Sequence, residues 1–378
     1  MNAIIARYYK RVMRVELNTH ARLAYRLSPS GLLIGIGTLR FSVGAKMRRR
    51  EFVRFLGAAA ASVCPLVARA QQPGGTRRLG ILMSVQDDAE GKAQLSGFTQ
   101  ALAGLGWIEG RNLQTQIRWG GGDARVAQMH AKELVGLKPD VILSQGTPVT
   151  AALKRETQSI PIVFVVVTDP VGDGFVAGLP HPGGNITGFL TSEAAITAKM
   201  LELLKEIAPG LKRVAMLFNA DSAPGHGEYY SRDFDAAAKS SKLELVSGRA
   251  YNDAEIEAVM RSLAREPNGG LVVMPDFFMF NHIEAITSLA RQNKVPAIYP
   301  WKFVVTKNAG LLSFGPDLND IVRRGAAYVD RVLRGEKPAD LPVQVPVKFE
   351  MAINVKTAGT LSLPVPPSML LQADEVIE

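Results

Sequence analysis

The strongest constraint on the fold is a regular alternation of short apolar segments with longer amphipathic segments from Arg77 onward. Residues 79–83, 141–144 and 162–167 have the length and composition of buried strands, and each is followed by a segment with helical periodicity. Strands that alternate with helices form parallel sheets through right-handed crossovers. The sequence therefore predicts an α/β fold in which helices cover parallel sheets.

This alternation occurs twice, and the turn-rich segment 181–188 separates the two sets. Two sets of this kind predict two Rossmann-like lobes, joined by a multi-strand hinge near residues 187–191. The tail after residue 310 contains too few elements for a third domain, so we expect it to pass back and forth between the lobes. The predicted division is 77–189 with 311–340 for lobe 1, and 190–310 with 341–378 for lobe 2.

The N-terminal region has the composition of an export signal. Three arginines after Met47 precede an apolar segment at 55–67, which ends in the small residues of Ala68-Arg69-Ala70. A basic head, a short apolar middle and a small-x-small site resemble a twin-arginine signal peptide. We predict an export signal at 47–70, cleavage after Ala70 and a periplasmic protein, which leaves 1–46 as an untypical N-terminal extension. An uncleaved anchor is the alternative, although the apolar segment is short for a membrane span.

Charge and motifs exclude several classes of function. Residues 1–72 carry 13 Lys and Arg against two Glu, so the net charge of +9 arises there and the remaining chain carries −2. A basic surface for nucleic acid is therefore not expected. The sequence has no Gly-x-Ser-x-Gly motif, and its histidines are too scattered to predict a metal site. We expect neither an enzyme nor a cofactor.

Two predicted strand ends have the residues of a ligand site. Gln145-Gly146-Thr147-Pro148 combines a flexible turn with a good helix start, whose free amide hydrogens can receive a carboxylate. Thr168-Asp169-Pro170 follows the next strand, and in a parallel sheet both loops open at the edge where ligands bind. The alternative is that both segments are only helix caps and turns.

Further candidates lie at the other predicted strand ends. Asp169 or Asp276 could hold an ammonium group, although each could equally cap a turn. Trp301, Phe277 and Tyr299 could stack on a flat ligand, with core packing as the alternative. The complete set of predicted ligand-binding residues is Ser84, Gln86, Gln145, Gly146, Thr147, Thr168, Asp169, Asn219, Asp276, Tyr299 and Trp301.

Several segments together resemble the bacterial ABC-transporter substrate-binding proteins with type I periplasmic-binding architecture, some of which bind aromatic amino acids. The resembling segments are 48–52, 70–72, 146–148, 160–171, 182–188, 296–299, 335–342 and 373–378. The resemblance implies a monomeric receptor that closes two lobes on a small solute, such as an amino acid or organic acid, and passes it to a membrane permease. A periplasmic sensor that signals to a membrane protein is the alternative. The ligand-sensing half of a transcription regulator is disfavoured, because a signal peptide occupies the place of its DNA-binding helices.

Overall fold

Two sheets follow each other along the chain, as the alternation predicts. The computed structural model describes residues 75–378, so the predicted extension 1–46 and export signal 47–70 lie outside the described residues. The first sheet has the order β2-β1-β3-β4-β5, and all its strand pairs are parallel. Its strands are β1 Arg77–Met83, β2 Leu113–Trp119, β3 Val141–Gln145, β4 Ile162–Val167 and β5 Ile186–Leu190.

The second sheet is mixed, with the order β12-β11-β10-β9-β8-β6-β7. Strand β11 pairs antiparallel with β10, and the other pairs are parallel. Its strands are β6 Arg213–Leu217, β7 Glu244–Val246, β8 Gly269–Val273, β9 Ala297–Tyr299, β10 Leu312–Pro316, β11 Phe349–Asn354 and β12 Glu375–Ile377.

Helices cover both faces of each sheet, and their apolar sides contribute to two hydrophobic clusters in each lobe. Asp88 and Asp123 cap the first two helices by accepting hydrogen bonds from backbone amides in the first turn. The helices are α1 Ala89–Gly104, α2 Ala124–Gly136, α3 Thr147–Glu156, α4 Ile196–Ile207, α5 Glu228–Ser240, α6 Asp253–Ala264, α7 Phe277–Asn281, α8 Ile283–Gln292, α9 Lys302–Thr306, α10 Leu318–Leu333, α11 Val355–Thr360 and α12 Pro367–Gln372. Two short 3-10 helices lie at Pro224–Gly227 and Pro338–Asp340.

The chain crosses between the lobes three times, which confirms the predicted fold of two α/β lobes. The crossings lie between β5 and α4, between β10 and α10, and between Gln344 and β11. The last two run side by side: the Asp317 amide donates to the Lys348 carbonyl at 3.0 Å, and the two side chains form an ion pair at 2.7 Å. Both lobes belong to one compact unit.

The tail is divided between the lobes differently from the predicted boundaries. Strand β10 belongs to the second sheet, whereas the prediction places 311–340 entirely in lobe 1. Helix α10 does pack on lobe 1, against α1 and β4. The Leu190 amide donates to the Gln344 carbonyl, so 341–344 stays with lobe 1, whereas the prediction placed 341–378 in lobe 2. Hydropathy shows that a strand exists, but the choice of sheet depends on hydrogen-bonding partners distant in sequence.

Candidate functional site

A cavity of about 420 Å³ lies between the two lobes, at the carboxyl ends of their central strands. This is the edge at which parallel α/β sheets bind ligands, and the volume is in the usual range for small-molecule sites. Both lobes contribute to its lining. Seven of the predicted residues line it: Ser84, Gln145, Gly146, Thr147, Thr168, Asp276 and Trp301.

A buried polar network closes one end of the cavity at the ends of β1 and β3. The Ser84 hydroxyl and backbone amide both donate to Gln145 Oε1, at 2.8 and 3.0 Å. Gln145 Nε2 in turn donates to Gln94 Oε1 at 3.3 Å. These bonds fix the orientation of the Gln145 amide and leave its second N–H for a ligand, since an amide nitrogen has two donors.

Helix α3 begins at the cavity without a side-chain cap. Its N-cap residue Gly146 has φ 102°, a conformation that favours glycine, and an added Cβ would lie 2.4 Å from Ser84 Oγ. Thr147 is half-buried and lines the cavity together with Pro148. Because no side chain caps this end, the first-turn amides are available to an anionic ligand, and the helix dipole favours one there.

A bulge near the end of β4 shapes the neighbouring wall. Val166 has φ 59°, which is strained for a β-branched residue, and the pairing of β4 with β5 shifts between Val165 and Val167. Both Val166 and Thr168 line the cavity. Thr168 lies beside the buried Tyr230 hydroxyl of lobe 2, so this wall also connects the two lobes.

Two cavity carboxyls have raised pKa values, and burial is the main cause for both. Burial raises the pKa of Asp276 to about 6, although this carboxyl accepts from Met279 N at 2.8 Å, Asn219 N at 3.0 Å and Ser222 Oγ at 3.1 Å. Burial and the neighbouring Asp169 carboxylate raise the pKa of Asp173 to about 6, while Lys154 opposes the shift. Asp276 is therefore mainly structural. Among the described side chains, none hydrogen-bonds the Asp173 carboxyl, which leaves it available to a ligand.

Aromatic rings of lobe 2 form the opposing wall. Phe277, Phe280 and Trp301 line the cavity, and the Phe280 and Trp301 rings meet edge to face at 5.2 Å between centroids. Phe277 also reaches across to lobe 1, where an added Cβ on Gly122 would lie 2.9 Å from its ring. This wall provides a flat apolar surface suited to an aromatic ring.

Four predicted residues do not line the cavity. Gln86 is exposed. Asp169 and Asn219 stabilise turns instead, because Asp169 Oδ1 accepts from the Gly172 amide and Asn219 Oδ1 from the Asp221 amide. Tyr299 is 1% exposed and packs in the core of lobe 2, which was the stated alternative for this residue.

Several residues that line the cavity lie outside the predicted set. Gln94, Ala151 and Arg155 lie on helices, and Asp173 lies six residues beyond its strand. Thr191 directly follows β5, as Thr168 follows β4. It could therefore have been predicted from its position at a strand end, as Thr168 was. Across residues 75–378, no group of three or more His, Cys, Asp or Glu is placed to hold a metal ion, and no helix is long and apolar enough to cross a membrane.

Two α/β lobes, three crossings and a cavity between the strand ends define the type I periplasmic-binding fold. Residues 78–377 match the family model of ABC transporter substrate binding proteins, and the chain belongs to that family. This confirms the family inferred from the sequence. Members of the family bind solutes and are not enzymes, so the prediction of a non-enzymatic function is also confirmed.

The chain is similar to proteins of known structure or ligand. It is 28% identical over 288 residues to a tyrosine-binding protein of Clostridioides difficile. The aligned region covers 76% of this chain and 81% of that protein. A crystal structure of an ABC domain in complex with L-Trp from Streptococcus pneumoniae is 25% identical, covers 80% of this chain and 100% of its own, and has a TM-score of 0.72. A conserved domain protein from Vibrio cholerae is 28% identical, covers 80% and 99% respectively, and has a TM-score of 0.71.

Proposed function

We propose that this protein is the periplasmic component of an ABC import system for an amino acid with an aromatic side chain. In this proposal the chain is exported, cleaved after Ala70, and delivers its solute to a membrane permease as a monomer. The observation that supports it is one cavity that combines an uncapped helix start, an available carboxyl and an aromatic wall. These are the three groups that a zwitterionic aromatic amino acid requires.

The start of α3 would receive the ligand carboxylate. Thr147 contributes a hydroxyl, and the first-turn amides contribute N–H donors without competition from a side-chain cap. A helix N-terminus stabilises an anion by about 0.3–1 kcal/mol, and a charge-assisted hydrogen bond adds to this. The binding site for the carboxylate would therefore be formed before the ligand binds.

Asp173 would receive the ligand ammonium group. Its carboxyl is half-buried, and its pKa is raised to about 6 because burial and Asp169 disfavour the charged form. A bound ammonium would compensate both effects by supplying an opposite charge at close range. The sequence prediction assigns this role to Asp169 or Asp276. Both of those carboxyls already accept hydrogen bonds from backbone amides, and this favours Asp173 for the ligand.

The aromatic wall of lobe 2 would hold the ligand ring. An aromatic ring packed against Phe277 or Trp301 gains about 0.5–1.5 kcal/mol beyond simple burial. The similar proteins support this choice, since one is named for tyrosine binding and another was crystallised with L-Trp. Because carboxylate and ring would contact opposite lobes, the ligand would bind the closed form more tightly and shift the hinge equilibrium towards it.

The experiment is a thermal-shift screen of the purified protein after unfolding and refolding to remove bound ligand. The panel contains the amino acids, aromatic acids without an amino group, nucleosides and sugars. A ligand at 100 times its dissociation constant adds about 2.7 kcal/mol of stability. We expect aromatic amino acids alone to raise the melting temperature; a response to sugars or nucleosides alone would contradict the proposal. Loss of uptake of the same amino acid in a deletion strain would separate import from sensing.

A further inference from the structure

The hinge wall of the cavity contains a buried hydroxyl that lacks a partner. Thr191 lines the cavity and is 3% exposed, and no hydrogen-bonding group among the described residues reaches its Oγ1. Its backbone is held in place, because the Thr191 amide donates to the Val167 carbonyl at 2.8 Å. A buried hydroxyl without a partner is unfavourable, so such groups are rare unless a ligand satisfies them.

The neighbouring Ser192 shows that a buried hydroxyl at this wall can find a partner. Val167 and Leu190 are paired across β4 and β5, so Thr168 and Thr191 occupy equivalent positions one residue beyond their strands. Ser192 Oγ lies 3.1 Å from the Tyr230 hydroxyl, and Thr168 lies beside that same hydroxyl. Thr191 is adjacent to Ser192 in the chain and has no such bond itself.

The position of Thr191 separates it from the groups assigned to the ligand's charged end. In the order β3-β4-β5, it lies two strands from the start of α3, or roughly 10 Å at the usual strand spacing. That separation is comparable to the length of an extended aromatic amino acid. A ligand whose carboxylate is bound at Thr147 would therefore direct its ring towards the hinge wall.

We propose that Thr191 hydrogen-bonds a polar group on the ligand's ring, such as a phenol hydroxyl or an indole N–H. The inference rests on the proposed function and narrows its solute class: the site prefers tyrosine or tryptophan to phenylalanine. A threonine hydroxyl can donate to a phenol oxygen or accept from either group. An unsubstituted phenyl ring would leave the Thr191 hydroxyl without a partner, as it is in the ligand-free protein, so phenylalanine would not gain this hydrogen bond.

The test measures the affinities of tyrosine, tryptophan and phenylalanine by calorimetry with the ligand-free protein. We expect tyrosine or tryptophan to bind at least about fivefold more tightly than phenylalanine, as for one satisfied hydrogen bond. Thr191→Val keeps the side-chain shape and removes the hydroxyl, so it should abolish this preference and leave the phenylalanine affinity unchanged. Thr191→Ser should retain the preference.

Ser313 provides a matched control, because its hydroxyl is also buried and lacks a partner among the described residues, yet Ser313 does not line the cavity. Ser313→Ala should leave all three affinities unchanged. Equal binding of the three ligands by the unmodified protein would overturn the role of Thr191 but not the proposed function. An equal loss of affinity for all three ligands in Thr191→Val would do the same. The first of these outcomes needs no variant, so a folding defect cannot obscure it. Absence of binding of every aromatic amino acid would overturn the proposed function and this inference together.

Discussion

Replacing Asp173 by asparagine removes the charge that we assign to ammonium binding while keeping the size of the side chain. The substitution should weaken binding of an aromatic amino acid at pH 7.5 by about 1.5–3 kcal/mol, the range for a hydrogen bond to a charged group. That range corresponds to roughly ten- to a hundredfold in the dissociation constant. Among the described side chains, none bonds the Asp173 carboxyl, so we expect little change in the stability of the ligand-free protein.

The raised pKa of Asp173 gives this prediction a second, sharper readout. With a pKa of about 6 in the ligand-free protein, Asp173 is ionised in about one tenth of the molecules at pH 5 and in nearly all of them at pH 7.5. If only the ionised form binds the ammonium, the affinity should fall about tenfold between these pH values. The ligand's own carboxylate and ammonium keep their charges throughout this range.

Calorimetry of the unmodified protein and of Asp173→Asn between pH 5 and pH 8 tests this assignment. The unmodified protein should lose affinity as the pH falls through about 6, and Asp173→Asn should bind weakly with little dependence on pH. Asp221 provides the matched control, because it is a second carboxyl in the cavity lining but is exposed. Asp221→Asn should retain the pH dependence. A pH dependence that persists in Asp173→Asn would refute the assignment and indicate Asp276, whose pKa is also raised to about 6.

Three further predictions concern the remaining parts of the site. Thr147→Val should weaken a carboxylate ligand by about 1–3 kcal/mol in calorimetry, and unchanged affinity would place the carboxylate elsewhere. Gly146→Ala should lower both the melting temperature and the affinity, because φ 102° is strained for alanine and its Cβ would meet Ser84 Oγ; full retention of both would contradict this geometry. Asp276 should contribute a loss of stability as the pH rises from about 4 to about 6, because the folded chain holds the Asp276 proton more tightly than the unfolded chain; in denaturant titrations over this range, the free energy of unfolding of the ligand-free protein should fall relative to that of Asp276→Asn, and a constant difference would contradict this.

The sequence predicted the parts of the site that directly follow a strand. Gly146, Thr147, Thr168 and Trp301 line the cavity because carboxyl ends of parallel strands meet at one edge, and the sequence pattern locates those ends. The prediction for Tyr299 was wrong because this last residue of β9 packs its side chain into the core of lobe 2, beneath the helices that cover the sheet.

Residues farther from a strand end could not be placed in this way. Asp173 reaches the cavity because the loop after β4 turns back, with the Asp169 side chain accepting from the Gly172 amide. Strand periodicity does not predict the conformation of this loop. Arg155 lies near the end of α3, and helical periodicity does not predict that its side chain reaches the cavity. The lobe boundary failed for a related reason, since the partners of β10 are decided by tertiary pairing.

A crystal structure of the protein with the aromatic amino acid that binds most tightly would decide how the ligand is held. We predict electron density for the ligand between the lobes, with a carboxylate oxygen within hydrogen-bonding distance of Thr147 Oγ1 and the first amides of α3. The ammonium should contact Asp173, and the ring should lie against the aromatic wall of lobe 2. A ligand bound outside this cavity, or one whose carboxylate contacts lobe 2 instead of α3, would contradict the proposed mode of binding.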